Sequence, residues 1–127
     1  MFKVLATVGA PQAIGPYIQG AKFGNMVITS GQLPVDPVTG NMPSDISQQT
    51  QQSLENVLAI IKEAGLTAGN IVKVTVFLQD MNNFSEVNNV YERFFLKNGA
   101  GFPARSCVQV ARLPKNAGIE IEAIACS

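Results

Sequence analysis

Residues 70–79, with the run IVKVTVFLQ at positions 71–79, constrain the fold more than any other segment. Side chains alternate across extended backbone. Val72, Val74, Val76 and Leu78 therefore point one way, and Lys73, Thr75, Phe77 and Gln79 the other. One face of this strand is wholly aliphatic and demands a packed layer.

The segments flanking the strand supply that layer. Before it, apolar or small residues recur at Thr50, Leu54, Val57, Leu58, Ile61 and Ala64, a helical stripe. Ser44 or Asp45 can cap this helix, Gly65 ends it, and Gln48, Gln49, Gln51 and Gln52 read as its wet face. After the strand, a second helix is predicted over about 84–97. Its buried stripe is Phe84, Val87, Tyr91, Phe94 and Phe95, read as a core face and not as an aromatic ligand box, and Asn98 and Gly99 stop it. Upstream, residues 2–8 read as a short edge strand and 9–16 as an ordered loop broken by Pro11, Gly15 and Pro16. Strands at 17–22 and 26–30 flank a tight turn at Phe23-Gly24-Asn25. Residues 31–43, with Pro34, Asp36, Pro37, Gly40 and Pro43, form a long loop. Downstream, strands at 104–110 and 118–125 are split by a Pro114-Lys115-Asn116 turn. The order is ββαβαββ with a first edge strand before it, a two-layer α+β architecture with both helices on one sheet face. At 127 residues the chain fits one domain, spanning 1–127.

Two helices leave the other sheet face without cover. The aliphatic sets Ser106, Val108, Val110 and Ile119, Ile121, Ala123 belong under the helices. That expectation puts Arg105, Cys107, Gln109, Glu120 and Glu122 on the helix-free face, beside Lys73, Thr75 and Phe77. Two readings compete: a solvated face with idle charges, as antiparallel sheets permit, or a face packed against sister subunits. Buried charges are costly unless paired, so a covered Arg and Glu would indicate a site.

Composition narrows the function. Charged residues make up only 14% against 46% hydrophobic, which excludes disorder and suggests a surface partly covered by sister subunits. Lys+Arg and Asp+Glu are 9 each and the cations never cluster, so nucleic acid is not expected as the main ligand. There is no histidine, which removes His triads and His metal sites together. Cys107 and Cys126 cannot build a zinc site by themselves and are expected as free thiols. No metal is expected. No apolar run is long enough to span a bilayer, and MFKVLATVGAPQAIGPY is a poor signal peptide. A soluble, cytoplasmic protein without membrane contact is the default.

The segments AIGPYIQG (13–20), MVITSGQLPVDPVTG (26–40) and FPARSCVQVARLPKNAGIEIEAIA (102–125) resemble the RidA/YjgF family of reactive-intermediate deaminases. SLENVLAIIKEAGL (53–66) and VKVTVFLQDMNNFSEVNNVYERFF (72–95) are similar to it too, so the resemblance covers almost the whole chain. It implies a chorismate-mutase-like fold and a homotrimer whose sheets face inward as a barrel, with active sites between subunits. The implied activity is hydrolysis of 2-iminoacids, and of the enamines that precede them, to 2-oxoacids and ammonia. The typical substrates come from threonine and serine dehydratases, and neither metal nor organic cofactor is used.

The same resemblance assigns roles. Arg105 matches the arginine that grips the substrate carboxylate, work its planar fork suits; otherwise it is a structural partner of Glu120 or Glu122. Glu120 matches the glutamate that orients or activates water. Cys107 is expected to line the pocket without a covalent role, and Cys126 has none. Tyr17 walls the pocket or offers its hydroxyl, with simple packing as the competing reading. Ser30 and Gly31 match a loop near the ligand, and Asn88 a position near the cleft. Phe84 contacts the ligand or belongs to the core stripe. Glu122 fits a solvated carboxylate better and is left without a role. Two rival functions stand beside the deaminase: a non-catalytic binder of small 2-oxo or other carboxylic acids, and a ribonuclease or translation inhibitor.

Overall fold

A computed structural model describes residues 1–127. Six strands and two α-helices follow one another: β1 Lys3–Leu5, β2 Gly20–Phe23, β3 Met26–Thr29, α1 Ile46–Glu63, β4 Ile71–Leu78, α2 Phe84–Lys97, β5 Ala104–Gln109 and β6 Ile119–Cys126. The expected order holds, first edge strand included, though residues 17–19 lie outside any strand. All strands join one sheet in the order β1-β2-β3-β6-β4-β5. Every pairing is antiparallel except β4 with β5. That pair is parallel because α2 connects the two strands as a crossover.

Local chemistry fixes the helix ends. Asp45, not Ser44, caps α1, accepting from Gln48 N at 3.0 Å. Both helices stop in the same way. Gly65 and Gly99 take φ of 80° and 64°, and Leu66 N and Ala100 N reach back to the carbonyls of Ile61 and Phe95. The stripes then pack on the sheet. Ile60, Ile61, Leu78, Phe95, Ile119 and Ile121 are all fully buried, each contributing about 1.5–3 kcal/mol.

Four sequence expectations need correction. Val72 is not in the buried set of β4: a bulge between Ile71 and Lys73 turns it out to 47% exposure and puts Ile71 inside. Gln49 does not belong to a wet face. It is buried, donating to Pro43 O at 2.7 Å and accepting from Gly118 N at 2.9 Å. Asn56, fully buried on the same helix, donates to the carbonyls of Leu33 and Val35, so α1 uses polar side chains to hold the 31–43 loop. Phe84 falls outside the α2 core stripe at 37% exposure, and Val90 takes a place in it.

The fourth correction decides where the site lies. Register pairs Val74 with Arg105, Val76 with Cys107 and Leu78 with Gln109. Paired residues project to the same side, so Arg105, Cys107 and Gln109 face the helices, not the open side. Ser106 and Val108 take the helix-free face with Lys73, Thr75 and Phe77. Glu120 and Glu122 do lie there, paired with Phe77 and Thr75. The reason is positional. Strand β5 is the sheet edge, where α2 offers aromatic rings to a cation, while Val108 is 44% exposed on the side no helix covers. Phe23 and Ile28 are also exposed, at 43% and 40%.

Candidate functional site

The named residues form two groups on opposite faces of the sheet. The first lies between α2 and β5. Arg105 extends from β5 so that its guanidinium carbon sits 4.7 Å from the centre of the Tyr91 ring and 5.6 Å from that of Phe84. Asn88, Tyr91, Phe102 and Pro103 line a cleft of about 370 Å³ with it. Two polar atoms here, Asn88 Oδ1 and Tyr91 Oη, are buried without a hydrogen-bond partner. Burial pushes the Tyr91 hydroxyl up to about 12 against the opposing charge of Arg105. Cys107, on the same face, packs on the core. Burial raises its thiol too, outweighing the lowering by Arg105, so the thiolate a nucleophile needs is disfavoured.

The second group lies where the 17–33 segment meets the start of β6. Tyr17, Ser30, Gly31 and Glu120 line a cleft of about 430 Å³ with Ile14, Leu33, Pro114 and Lys115. Ser30 is anchored twice, its N–H donating to Gln19 O at 2.8 Å and its Oγ to Ile18 O. Buried Gln19 ties the segment down through Thr7, Ala10 and Pro11. Tyr17 stands half exposed. At Gly31 a Cβ would collide with the Glu120 carboxyl, reaching 2.8 Å from its Cδ, so only glycine leaves this carboxyl its place. Burial raises the Glu120 pKa, and the neighbouring Glu122 charge adds to the rise. Lys115 and Asn116 hold left-handed backbone at φ 57° and 54°, with Arg112 Nε donating to Asn116 Oδ1 at 3.1 Å. Of the two, Lys115 lines the cleft, held in backbone that L side chains seldom adopt.

The structure thus brings Arg105, Cys107, Phe84 and Asn88 together, and Tyr17, Ser30, Gly31 and Glu120 together, but joins neither set to the other. Sequence reading missed Tyr91 as a site residue, because its place in the helical stripe marked it only as core. It also missed Lys115, for which the Pro-Lys-Asn turn just before β6 was a usable signal. No group of three or more His, Cys, Asp or Glu is placed to hold a metal. No helix is long and apolar enough to cross a membrane.

Fold and clefts define a class: two-layer α+β domains whose candidate site residues divide between the two faces of one mixed sheet. The chain belongs to the family described as Endoribonuclease L-PSP, whose model it matches over residues 7–127, and the resemblance to RidA/YjgF proteins is borne out. It is 61% identical over 125 residues to the 2-iminobutanoate/2-iminopropanoate deaminase of Escherichia coli (strain K12), covering 98% of each chain. The protein of the same name in Salmonella typhimurium is 62% identical, again over 98% of each. Among solved structures, the E. coli YjgF gene product superposes with a TM-score of 0.97 at 60% identity, covering 98% of both chains. E. coli TdcF with bound serine gives a TM-score of 0.97 at 55% identity, also over 98% of both.

Proposed function

We propose that this chain is a cofactor-independent deaminase, one domain over 1–127, that hydrolyses 2-iminoacids and their enamine precursors to 2-oxoacids and ammonia. The observation that carries the reading is its 61% identity, over 98% of both chains, to a protein named for that activity. The clefts supply fitting chemistry. An iminoacid offers a carboxylate and an electrophilic carbon; the two clefts offer a guanidinium over aromatic rings and a half-buried carboxyl of raised pKa.

Because Arg105 and Glu120 sit on opposite faces, one copy cannot present both to one small molecule. We therefore place the active site between copies of a homotrimer, the Arg105 cleft of one against the Glu120 cleft of the next. The exposed Phe23, Ile28 and Val108 on the helix-free face support burial against another copy. Arg105 then fixes the carboxylate by paired charge-assisted bonds. The enamine takes a proton at carbon to become the protonated imine. Water oriented by Glu120 attacks the imine carbon, passing a proton to the carboxylate. The tetrahedral carbinolamine then collapses to the carbonyl: its hydroxyl loses a proton, its nitrogen gains one, the C–N bond breaks and nitrogen leaves as ammonia. Tyr17, Ser30 and Gly31 shape the water side, and Asn88, Phe84 and Cys107 the carboxylate side. Holding reactants in register provides much of the gain. The natural setting we assign is the cytoplasm, with no nucleic acid or membrane partner.

The family description favours one rival, RNA cleavage. Zero net charge and the lack of histidine weigh against it. The test generates 2-iminobutanoate in situ with threonine dehydratase and follows 2-oxobutanoate release. Acceleration above buffer is expected. Arg105→Ala should lose about 3 kcal/mol or more of transition-state binding, a hundredfold or larger fall in kcat/KM, with the oligomer intact. No acceleration by the unaltered protein would leave only a binder of small acids. RNA cleavage that co-purifies at constant specific activity would favour the ribonuclease.

A further inference from the structure

We propose that Tyr91 is a positioning residue for Arg105: its ring sets the plane of the guanidinium, so that the fork meets a carboxylate already aligned. This rests on the reading of Arg105 as the carboxylate anchor. Arg105 leaves the edge strand of the sheet, where its flexible side chain has no neighbouring strand beyond it. The surface it meets is aromatic. Of the two rings, Phe84 is 37% exposed and lies farther away, whereas Tyr91 is 6% exposed and lies at 4.7 Å. Tyr91 is itself braced. Its centroid is 4.8 Å from that of Phe95, which is fully buried and meets Phe94 edge-on at 5.3 Å. Rigidity thus passes from the core through Phe95 and Tyr91 to the guanidinium. A plane held this way spares the ligand the cost of ordering a long side chain. Tyr91 also lines the same cleft as Arg105, with its hydroxyl buried and unpartnered, an arrangement that pure core filling by phenylalanine would avoid.

The test compares Tyr91→Leu, Tyr91→Met and Tyr91→Phe in the full chain with the in situ iminoacid assay. Loss of the ring should lower kcat/KM about tenfold, about 1.4 kcal/mol, mostly through KM, while Tyr91→Phe stays within about threefold. In an Arg105→Lys background, where no planar fork remains, the Tyr91→Leu loss should shrink to under about threefold. Unchanged KM in folded Leu and Met variants overturns the proposal, as does an equal loss in Tyr91→Phe. Neither result touches the role of Arg105, which falls only if Arg105→Ala retains activity. If the Leu and Met variants do not fold, proton NMR of the unaltered protein and Tyr91→Phe decides. Arg105 side-chain resonances, assigned by their absence in Arg105→Lys, should be ring-current shifted upfield in both; ordinary arginine positions overturn the proposal.

Discussion

Mixing two inactive variants separates a site shared between copies from one contained in a single copy. Arg105→Ala removes the guanidinium from the α2–β5 cleft, and Glu120→Gln removes the carboxylate from the cleft at β6. In one protomer those side chains point to opposite sides of the sheet, since Arg105 pairs with Val74 and Glu120 with Phe77, neighbours-but-two in alternating strand β4. If each active site takes Arg105 from one copy and Glu120 from the next around a ring, a randomly mixed assembly regains intact sites. With equal amounts, half the copies supply an unaltered arginine and half an unaltered glutamate, so about one quarter of the clefts carry both. The assay is iminoacid hydrolysis by differently tagged variants, co-refolded and purified through both tags. Each parent alone should sit near background, and the doubly purified mixed trimers, each with one intact cleft in three, at about a third of unaltered activity per cleft. Verified mixed assemblies that stay at the level of the parents would refute a site shared in this way.

If Glu120 is the base, it must be ionised to act, so kcat/KM should rise with pH through its raised pKa, placing the acid limb above the ordinary carboxylate value. Glu122→Gln should move that limb down without returning it fully, because burial is the larger cause and Glu122 the smaller; a limb that does not move refutes the coupling. The same shift fixes a sign for stability. The folded chain binds the Glu120 proton more tightly than the unfolded one, so stability should fall as pH rises from the ordinary carboxylate value through the raised one, and Glu120→Gln should flatten that slope in thermal melts. Gly31→Ala should cut kcat by displacing the Glu120 carboxyl while the fold persists, an outcome read from kinetics beside circular dichroism. Cys107, its thiol raised by burial, should be alkylated by iodoacetamide only slowly at neutral pH in peptide mapping. Rapid labelling there would revive a nucleophilic role.

What was legible in the sequence depended on how far each inference reached along the chain. Both helices and their glycine stops are local, and they stand where periodicity put them. The bulge at Val72 is not local, because it arises from matching β4 to β6. Nor are the buried Gln49 and Asn56, whose partners are loop carbonyls and Gly118 N far along the chain. Family motifs named residues that line two clefts, but not that the clefts are separate. The face of β5 failed for an instructive reason. Alternation tells which residues share a side, and apolarity is then used to choose the side that faces the core. That choice assumes the chain has one place to bury apolar groups. At an edge strand whose helix side is already occupied by Tyr91, Phe84 and a cation, Val108 turns to the other face, where no element of the same chain covers it. An aliphatic residue on the apparently wrong side is what a second packing surface looks like in sequence. The misassignment of β5 and the proposal of a shared active site are therefore two consequences of one fact: this sheet has apolar residues on both faces and helices on only one.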